Sequence, residues 1–258
     1  VEIRVTAGIT SAVSPSTRAV VDGMINSGFT TDLDVAFVRA DEGVAAYGDY
    51  GGTALVGTVA HAGKTLSFAP AEYYLVSGKK TKLIGWYPRR SGVSYTQGTR
   101  VVDFGEIDGK TDLMATVLYE GSKGTKISSI TFNHLLTQFS IKVYAPDAAA
   151  QGLWGTVSSI KIAEKKQTCT ITLPAATETA DTAAAPTFTG NSDLDLVKTD
   201  LTTSPASTIT YPLTLGVGTA ANAAQAGYAM FAPQTAGNVV LKIELSSGVT
   251  QTVNVPVP

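Results

Sequence analysis

Apolar and polar residues alternate with a period of two along most of the chain. In residues 1–10, Ile3, Val5, Ala7 and Ile9 fall on one face of an extended chain, and mainly polar residues fall on the other. This spacing predicts a half-buried β-strand. Similar short segments, separated by turn residues such as Gly and Pro, recur at 32–39, 54–60, 65–68, 82–87, 101–104, 113–118, 155–162, 168–173, 208–215, 228–231, 238–245 and 249–258. Short strands at such spacing predict an all-β sandwich or barrel.

The alternation is longest in residues 126–145, KISSITFNHLLTQFSIKVYA, where it changes phase once. Ile130 and Phe132 carry the apolar face before the change, and Phe139 and Ile141 carry it afterwards, one residue out of step. A slip of one residue reverses which face of a strand points inward. The segment therefore predicts a bulge, or a strand that bends from one sheet to another.

The length and the turn composition predict two domains. A chain of 258 residues can form one large domain or two of ordinary size. The polar segment 121–126, GSKGTK, resembles a linker, so we expect one β-sandwich at 1–125 and another at 126–258. The apolar positions show no sustained helical period, and strands do not alternate with helices, which argues against a parallel α/β fold. The Ala-rich clusters and residues 176–193 are expected to be loops.

Composition and charge narrow the classes of function. The net charge is −2 and basic residues form no cluster, so nucleic acid is not an expected partner. The single cysteine, Cys169, cannot form an internal disulfide and is expected to be buried on a strand. No apolar run approaches the roughly 18–20 residues of a membrane span. Two origins stay open: a cytosolic protein, or part of an exported precursor.

The sequence offers no constellation of residues for catalysis. His61 is expected in a loop, and His134 is expected to be a buried imidazole hydrogen-bonded to backbone. Neither has partners at metal-ligand spacing, and motifs for a nucleophilic serine, a phosphate loop or a zinc peptidase do not occur. We therefore expect no enzyme activity, no catalytic residue, no metal and no cofactor.

Aromatic residues suggest a rival function in binding. Trp86 and Tyr87, with Tyr73 and Tyr74, could line a platform on which a sugar ring stacks. Aromatic residues in such positions more often pack in a core or along an edge. The alternative function is thus a carbohydrate-binding surface lipoprotein that acts as a monomer.

Four short segments, taken together, resemble the fimbrillin family, the subunits of type V pili. They keep the order that they have in the family and are spread over most of the chain. They are IRVTAGIT followed by STRA (3–10 and 16–19), LIGWYP (83–88), TDLMATV (111–117) and FNHLLTQFSIKVYA (132–145).

The resemblance implies a fold and a mode of assembly. It implies two tandem transthyretin-like Greek-key β-sandwich domains, exported to the cell surface as an outer-membrane lipoprotein precursor. An arginine-directed protease would cut between Arg18 and Ala19 and release residues 1–18 with their strand. A strand from another pilin subunit would then fill the groove by β-strand addition. Expected partners are other pilin subunits, that protease and a host or bacterial surface ligand.

Overall fold

The computed structural model describes residues 1–10, 31–200, 207–234 and 237–257, and within them the protein is almost entirely β. The all-β prediction is confirmed. The first ten strands are β1 (Val5–Thr10), β2 (Leu33–Asp41), β3 (Leu55–Val59), β4 (Thr65–Phe68), β5 (Thr81–Tyr87), β6 (Ser94–Thr96), β7 (Val101–Glu106), β8 (Met114–Thr116), β9 (Tyr119–Gly121) and β10 (Ser129–His134). The others are β11 (Thr137–Ala145), β12 (Thr156–Thr172), β13 (Ala185–Asp195), β14 (Thr199–Asp200), β15 (Ser207–Thr208), β16 (Leu213–Thr214), β17 (Gly216–Val217), β18 (Ala224–Phe231), β19 (Gly237–Leu245) and β20 (Thr250–Val257). A helix, α1 (Ala148–Trp154), and a 3-10 turn (Ala220–Asn222) complete the described elements.

Seven strands form a ring of hydrogen-bonded neighbours. The order is β2-β3-β4-β1-β10-β8-β5, and β5 pairs again with β2. The ring closes because β2 has a partner on each side: residues 33–37 pair with β3, and residues 36–41 pair with β5. Strand β9 pairs with another part of β5. The sheet therefore encloses an interior, as a small barrel does.

Alternate side chains of β2 pack in two different hydrophobic cores. Val35 and Phe37 point into the ring, where they pack with side chains from the other ring strands. Ala36 and Val38 point outward and pack against a second sheet. Gly85 of β5 makes room for the ring interior, because a Cβ atom there would lie 2.4 Å from the Phe37 side chain.

The second sheet joins the two halves of the chain. Its order is β20-β19-β12-β7-β6, with β13 and β16 also paired to β12. The 17-residue β12 pairs near its start with β19 and near its end with β7. Trp86, Phe104 and Ile171 fill the space between the ring and this sheet. Cys169 is fully buried there, as predicted.

The phase change in residues 126–145 marks a passage from one sheet to another, as predicted. β10 pairs with β1 and β8 in the ring, whereas β11 pairs with β17 and β18 in a three-stranded sheet. A register irregularity also occurs in β11 between Ile141 and Lys142. Strand pairing therefore changes after His134. The domain division between residues 125 and 126 and the tandem transthyretin-like arrangement remain predictions.

Two segments that were expected to be loops are regular. Residues 148–154 form α1, whose first turn is capped by Asp147: its side chain accepts a hydrogen bond of 2.7 Å from Ala150 N. Residues 185–195 form β13, which pairs with β12. Most side chains of β13 are exposed. The segment therefore lacks the apolar alternation that reveals a half-buried strand.

Candidate functional site

Strand β1 occupies a slot in the ring between β4 and β10. It runs parallel to β10, with Thr6 opposite Ser129 and Thr10 opposite Asn133. It runs antiparallel to β4, with Val5 opposite Leu66. We call this space, with the backbone edges of β4 and β10 that border it, the β1 slot. Without β1 the ring would be open at this place.

Further backbone hydrogen bonds hold β1 and the residues that precede it. The amide of Ile3 donates to the carbonyl of Glu72 at 2.7 Å, and the amide of Tyr74 donates to the carbonyl of Val1 at 2.9 Å. The amide of Ala7 donates to the carbonyl of Lys64 at 2.7 Å. Main-chain bonds of this kind do not depend on side-chain identity, so any extended segment could make them.

The side chains of residues 1–7 follow the predicted alternation. Ile3, Val5 and Ala7 are 1%, 3% and 4% exposed and belong to the core inside the ring. Arg4 points outward with 77% of its side chain exposed, and its Nε donates to the carboxylate of Glu2 at 2.9 Å. Full burial of an aliphatic side chain such as Ile or Val is worth about 1.5–3 kcal/mol. The inward side chains therefore hold the strand in place.

Two other parts of the segment that the sequence predicted to be removable are Ile9 and the processing site. Ile9 lies in β1 opposite Phe132 in the parallel register. Arg18 and Ala19, the predicted processing site, lie outside the described residues. The structure thus shows where β1 lies, and both its release and the cut remain predictions.

An ion-pair network supports the segment that receives Ile3. Arg39 of β2 donates through Nη1 to the carboxylate of Glu72 at 2.8 Å and through Nε to that of Asp41 at 2.9 Å. The side chains of Arg39 and Glu72 are 16% and 18% exposed. Since Glu72 also accepts the amide of Ile3 through its carbonyl, this network fixes the backbone beside residues 1–3.

A buried histidine–aspartate pair joins β10, one border of the slot, to the chain entering β8. His134 Nδ1 lies 2.5 Å from Asp112 Oδ2, and the two side chains are 3% and 0% exposed. The prediction of a backbone partner for this imidazole was wrong. Asp112 reaches it because the next strand, β8, pairs with β10 with Met114 opposite His134. The sequence contained both residues in segments that resemble the fimbrillins, but a pattern of alternation does not identify side-chain partners.

Comparison with known proteins agrees with these segments. The sequence model of the fimbrillin-like family matches residues 17–257. The chain belongs to the fimbrillin-like family. The resemblance seen in the sequence is therefore confirmed. No curated protein matches the sequence of this chain at a significant level.

Two solved structures are similar to this fimbrillin-like chain. One is a candidate cell adhesion protein from Bacteroides uniformis, with a TM-score of 0.56, 16% identity, and coverage of 98% of this chain and 85% of that chain. At this identity the similarity shows a shared fold. The other is a fimbrial protein from Bacteroides vulgatus, with a TM-score of 0.36, 14% identity, and coverage of 99% and 90%. That score is too low to support an argument.

The sugar platform that the sequence left open as an alternative does not form in this fimbrillin-like chain. Trp86 and Tyr74 are 2% and 3% exposed, while Tyr73 is 56% exposed and Tyr87 is partly buried. Trp86 packs against Tyr95, with ring centroids 5.7 Å apart. The structure instead shows the core packing that is more frequent for such residues: β5 is a ring strand with both faces covered, so Trp86 offers no free surface to a ligand.

The second histidine of this fimbrillin-like chain, His61, lies in an exposed turn, as predicted, with its Nδ1 2.7 Å from Asp32 Oδ1. A backbone hydrogen bond from His61, together with the ring contact, lowers the pKa of the Asp32 carboxyl. In the part of the chain that the structure describes, no three His, Cys, Asp or Glu side chains are grouped to hold a metal. Nor does a helix in that part have the length and apolar character needed to cross a membrane.

Proposed function

We propose that this protein is a structural subunit of a cell-surface pilus and that a strand from a neighbouring subunit replaces β1 in assembly. The observation that carries the proposal is the β1 slot: an N-terminal strand with neighbours on both sides and buried side chains. Membership of the fimbrillin-like family supports the pilus. The description of the Bacteroides uniformis structure as a candidate adhesion protein agrees with a role at the cell surface.

The slot has the chemistry that strand addition requires. Removal of β1 would leave unpaired N–H and C=O groups along β4 and β10, which would act as a template for another strand. It would also leave apolar space where Ile3, Val5 and Ala7 now lie. A donor segment with apolar residues at alternate positions would restore both sets of contacts. The main chain would supply affinity, and the sizes of the alternate side chains would supply specificity.

Cleavage between Arg18 and Ala19 would convert β1 from part of the chain into a separable peptide. Before the cut, the strand is covalently tethered, so it refills the slot faster than any competitor at ordinary concentration. After the cut, it is held only by the contacts described above. The match to the family begins at residue 17, so β1 lies outside the matched part of the chain. In this proposal an arginine-directed protease acts after export of a lipoprotein precursor to the outer membrane.

An arginine-specific protease tests the proposal directly. The purified chain is digested briefly, the products are identified by mass spectrometry, and a fluorescent peptide with the sequence of residues 1–10 is added. We expect a product that begins at Ala19 and takes up the peptide, measured by fluorescence anisotropy and gel filtration. Arg18→Lys keeps the charge but removes the cleavage site, so this variant should neither lose residues 1–18 nor take up the peptide. A product that begins at Ala19, has lost residues 1–18 on gel filtration and still binds no strand would refute strand replacement.

A further inference from the structure

A polar cleft of about 340 Å³ lies where three loops meet, apart from the β1 slot. The loops follow β2, connect β6 to β7, and follow β12. No residue of β1 contributes to the cleft, so pilus assembly does not account for it. Its polar and aromatic lining includes Tyr47, Asp49, Tyr50, Gln97, Arg100 and Thr177.

Hydrogen bonds between the loops hold the cleft open in one shape. Tyr50 Oη donates to the carbonyl of Pro174 at 2.9 Å, and Gln97 Nε2 donates to the carbonyl of Tyr50 at 2.5 Å. Arg100 Nε donates to the carbonyl of Leu173 at 3.2 Å, and the Leu173 amide donates to the Arg100 carbonyl at 2.9 Å. Each loop is therefore tied to another. A preformed cleft of this kind loses little conformational freedom when a ligand binds.

A buried lysine fixes one wall of the cleft. Lys82 is 3% exposed, and its Nζ donates to the carbonyl of Ala176 at 3.0 Å and to that of Glu178 at 2.5 Å. The same Nζ lies 4.2 Å from the centroid of the Tyr47 ring. The carboxylate of Glu120 lies 3.7 Å from it and balances its charge. A buried lysine with this many partners gives the wall a fixed position.

Arg100 has an unusual backbone and an available guanidinium group. Its φ is 56°, in the left-handed region that glycine occupies most easily. The turn therefore carries an arginine at a position where glycine would be less strained. Among the described residues, its side chain makes the Leu173 hydrogen bond and no ion pair, so both terminal amino groups are available.

A buried hydroxyl near Arg100 also lacks a partner. The hydroxyl of Tyr95 is buried and, among the described residues, makes no hydrogen bond. Desolvation raises the pKa of this group, and the charges of Arg100 and Asp49 act on it in opposite directions. Buried polar atoms are normally paired, but Tyr95 is not among the residues that line the cleft, so its hydroxyl is not assigned to a ligand.

The side chains identify a class of ligand. A guanidinium group presents a planar pair of donors that matches a carboxylate. Asp49 and Thr177 supply acceptors for hydroxyl groups, and the volume is at the lower end for small-molecule sites. We propose that this cleft binds an acidic saccharide, with the carboxylate of the sugar on Arg100 and its hydroxyl groups on Asp49 and Thr177.

Isothermal titration calorimetry of the uncut chain with glucuronate, glucose and acetate tests this site. We expect glucuronate to bind at least tenfold more tightly than either glucose or acetate, because only glucuronate carries both a carboxylate and ring hydroxyl groups. Arg100→Gly suits the left-handed backbone while removing the guanidinium group, so the fold should remain intact by thermal melting. We expect this variant to bind glucuronate about 10- to 100-fold more weakly, as the loss of a charged hydrogen bond predicts.

Matched controls decide the outcome. Arg90→Gly removes an arginine outside the cleft and should leave affinity for glucuronate unchanged. The proposal would be overturned if glucuronate bound no more tightly than glucose or than acetate. It would also be overturned if Arg100→Gly kept full affinity for glucuronate, or if millimolar glucuronate gave no heat of binding. Since the titration uses the uncut chain and probes no residue of the β1 slot, its result is independent of strand replacement.

Discussion

Replacement of Ile3 by alanine is the most direct test of the packing of β1. Ile3 is 1% exposed inside the ring, and Ile3→Ala removes three buried carbon atoms from a core where the surrounding strands are paired on both sides. Truncations of this kind lower the free energy of unfolding by about 2–5 kcal/mol. Arg4→Ala is the matched control on the neighbouring position, because Arg4 is exposed and its ion pair with Glu2 is worth under about 1 kcal/mol.

Ile3→Ala should also weaken the binding of β1 to the β1 slot after cleavage. If 2–5 kcal/mol is lost from contacts between β1 and the ring, the dissociation constant of the cleaved peptide rises between about 30-fold and several thousand-fold, at 1.4 kcal/mol for each factor of ten. Residues 1–18 carrying Ile3→Ala should therefore leave the ring sooner than the same peptide carrying Arg4→Ala.

Two measurements check these magnitudes. Urea unfolding of the intact variants, followed by the fluorescence of buried Trp86, gives the change in the free energy of unfolding. Gel filtration after cleavage gives the fraction of the peptide that stays bound over time. If Ile3→Ala changes the free energy of unfolding by less than about 0.5 kcal/mol, or if its peptide leaves no faster than that of Arg4→Ala, the packing argument fails.

Three further perturbations test other parts of the fold. Gly85→Ala should lower the free energy of unfolding by about 1–3 kcal/mol, because the new Cβ atom would meet the Phe37 ring. Gly98→Ala is the control, since a Cβ atom there would have nothing within 4 Å, and urea unfolding should show little change. Equal effects of the two substitutions would contradict this explanation. Burial raises the pKa of the Cys169 thiol to about 12, so we expect no labelling by a thiol reagent at pH 8 until urea unfolds the chain, and rapid labelling in native buffer would disprove it. A hydrogen bond from Lys80 Nζ holds the pKa of Glu120 below its ordinary 4.5, so this stabilisation is present above pH 4.5 and is lost as the pH falls further. Glu120→Gln should therefore lose less stability than the unchanged protein between pH 7 and 3, and an equal loss in acid would contradict the assignment.

Local alternation predicted the faces of strands well. The positions of Ile3, Val5 and Ala7 inside the ring follow from period two, since that spacing depends only on the geometry of an extended chain. The phase change before Phe139 predicted a passage between sheets for the same reason. These features needed no knowledge of what each strand contacts.

The partners of the strands could not be predicted in this way. Closure of the ring depends on β2 pairing with both β3 and β5, and alternation contains no information about such neighbours. The Asp112–His134 pair was missed for the same reason, because it depends on the pairing of β8 with β10. The cleft at Arg100 was not predicted either, because its three loops are far apart in the sequence and meet only in the folded chain.

The 17-residue β12 has a mechanical consequence if the protein is assembled into a pilus as proposed. At about 3.3 Å per residue, a fully extended strand of this length would span about 55 Å, and the left-handed Glu164 with the register irregularities beside it makes β12 shorter than that. Its pairing with β19 near one end and β7 near the other makes it a continuous tie between strands from both halves of the chain. Tension along β12 would load these hydrogen bonds in shear, and since antiparallel bonds lie across the strands, several must break together. The subunit would therefore resist stretching along β12 more strongly than peeling of its exposed edge strand β13.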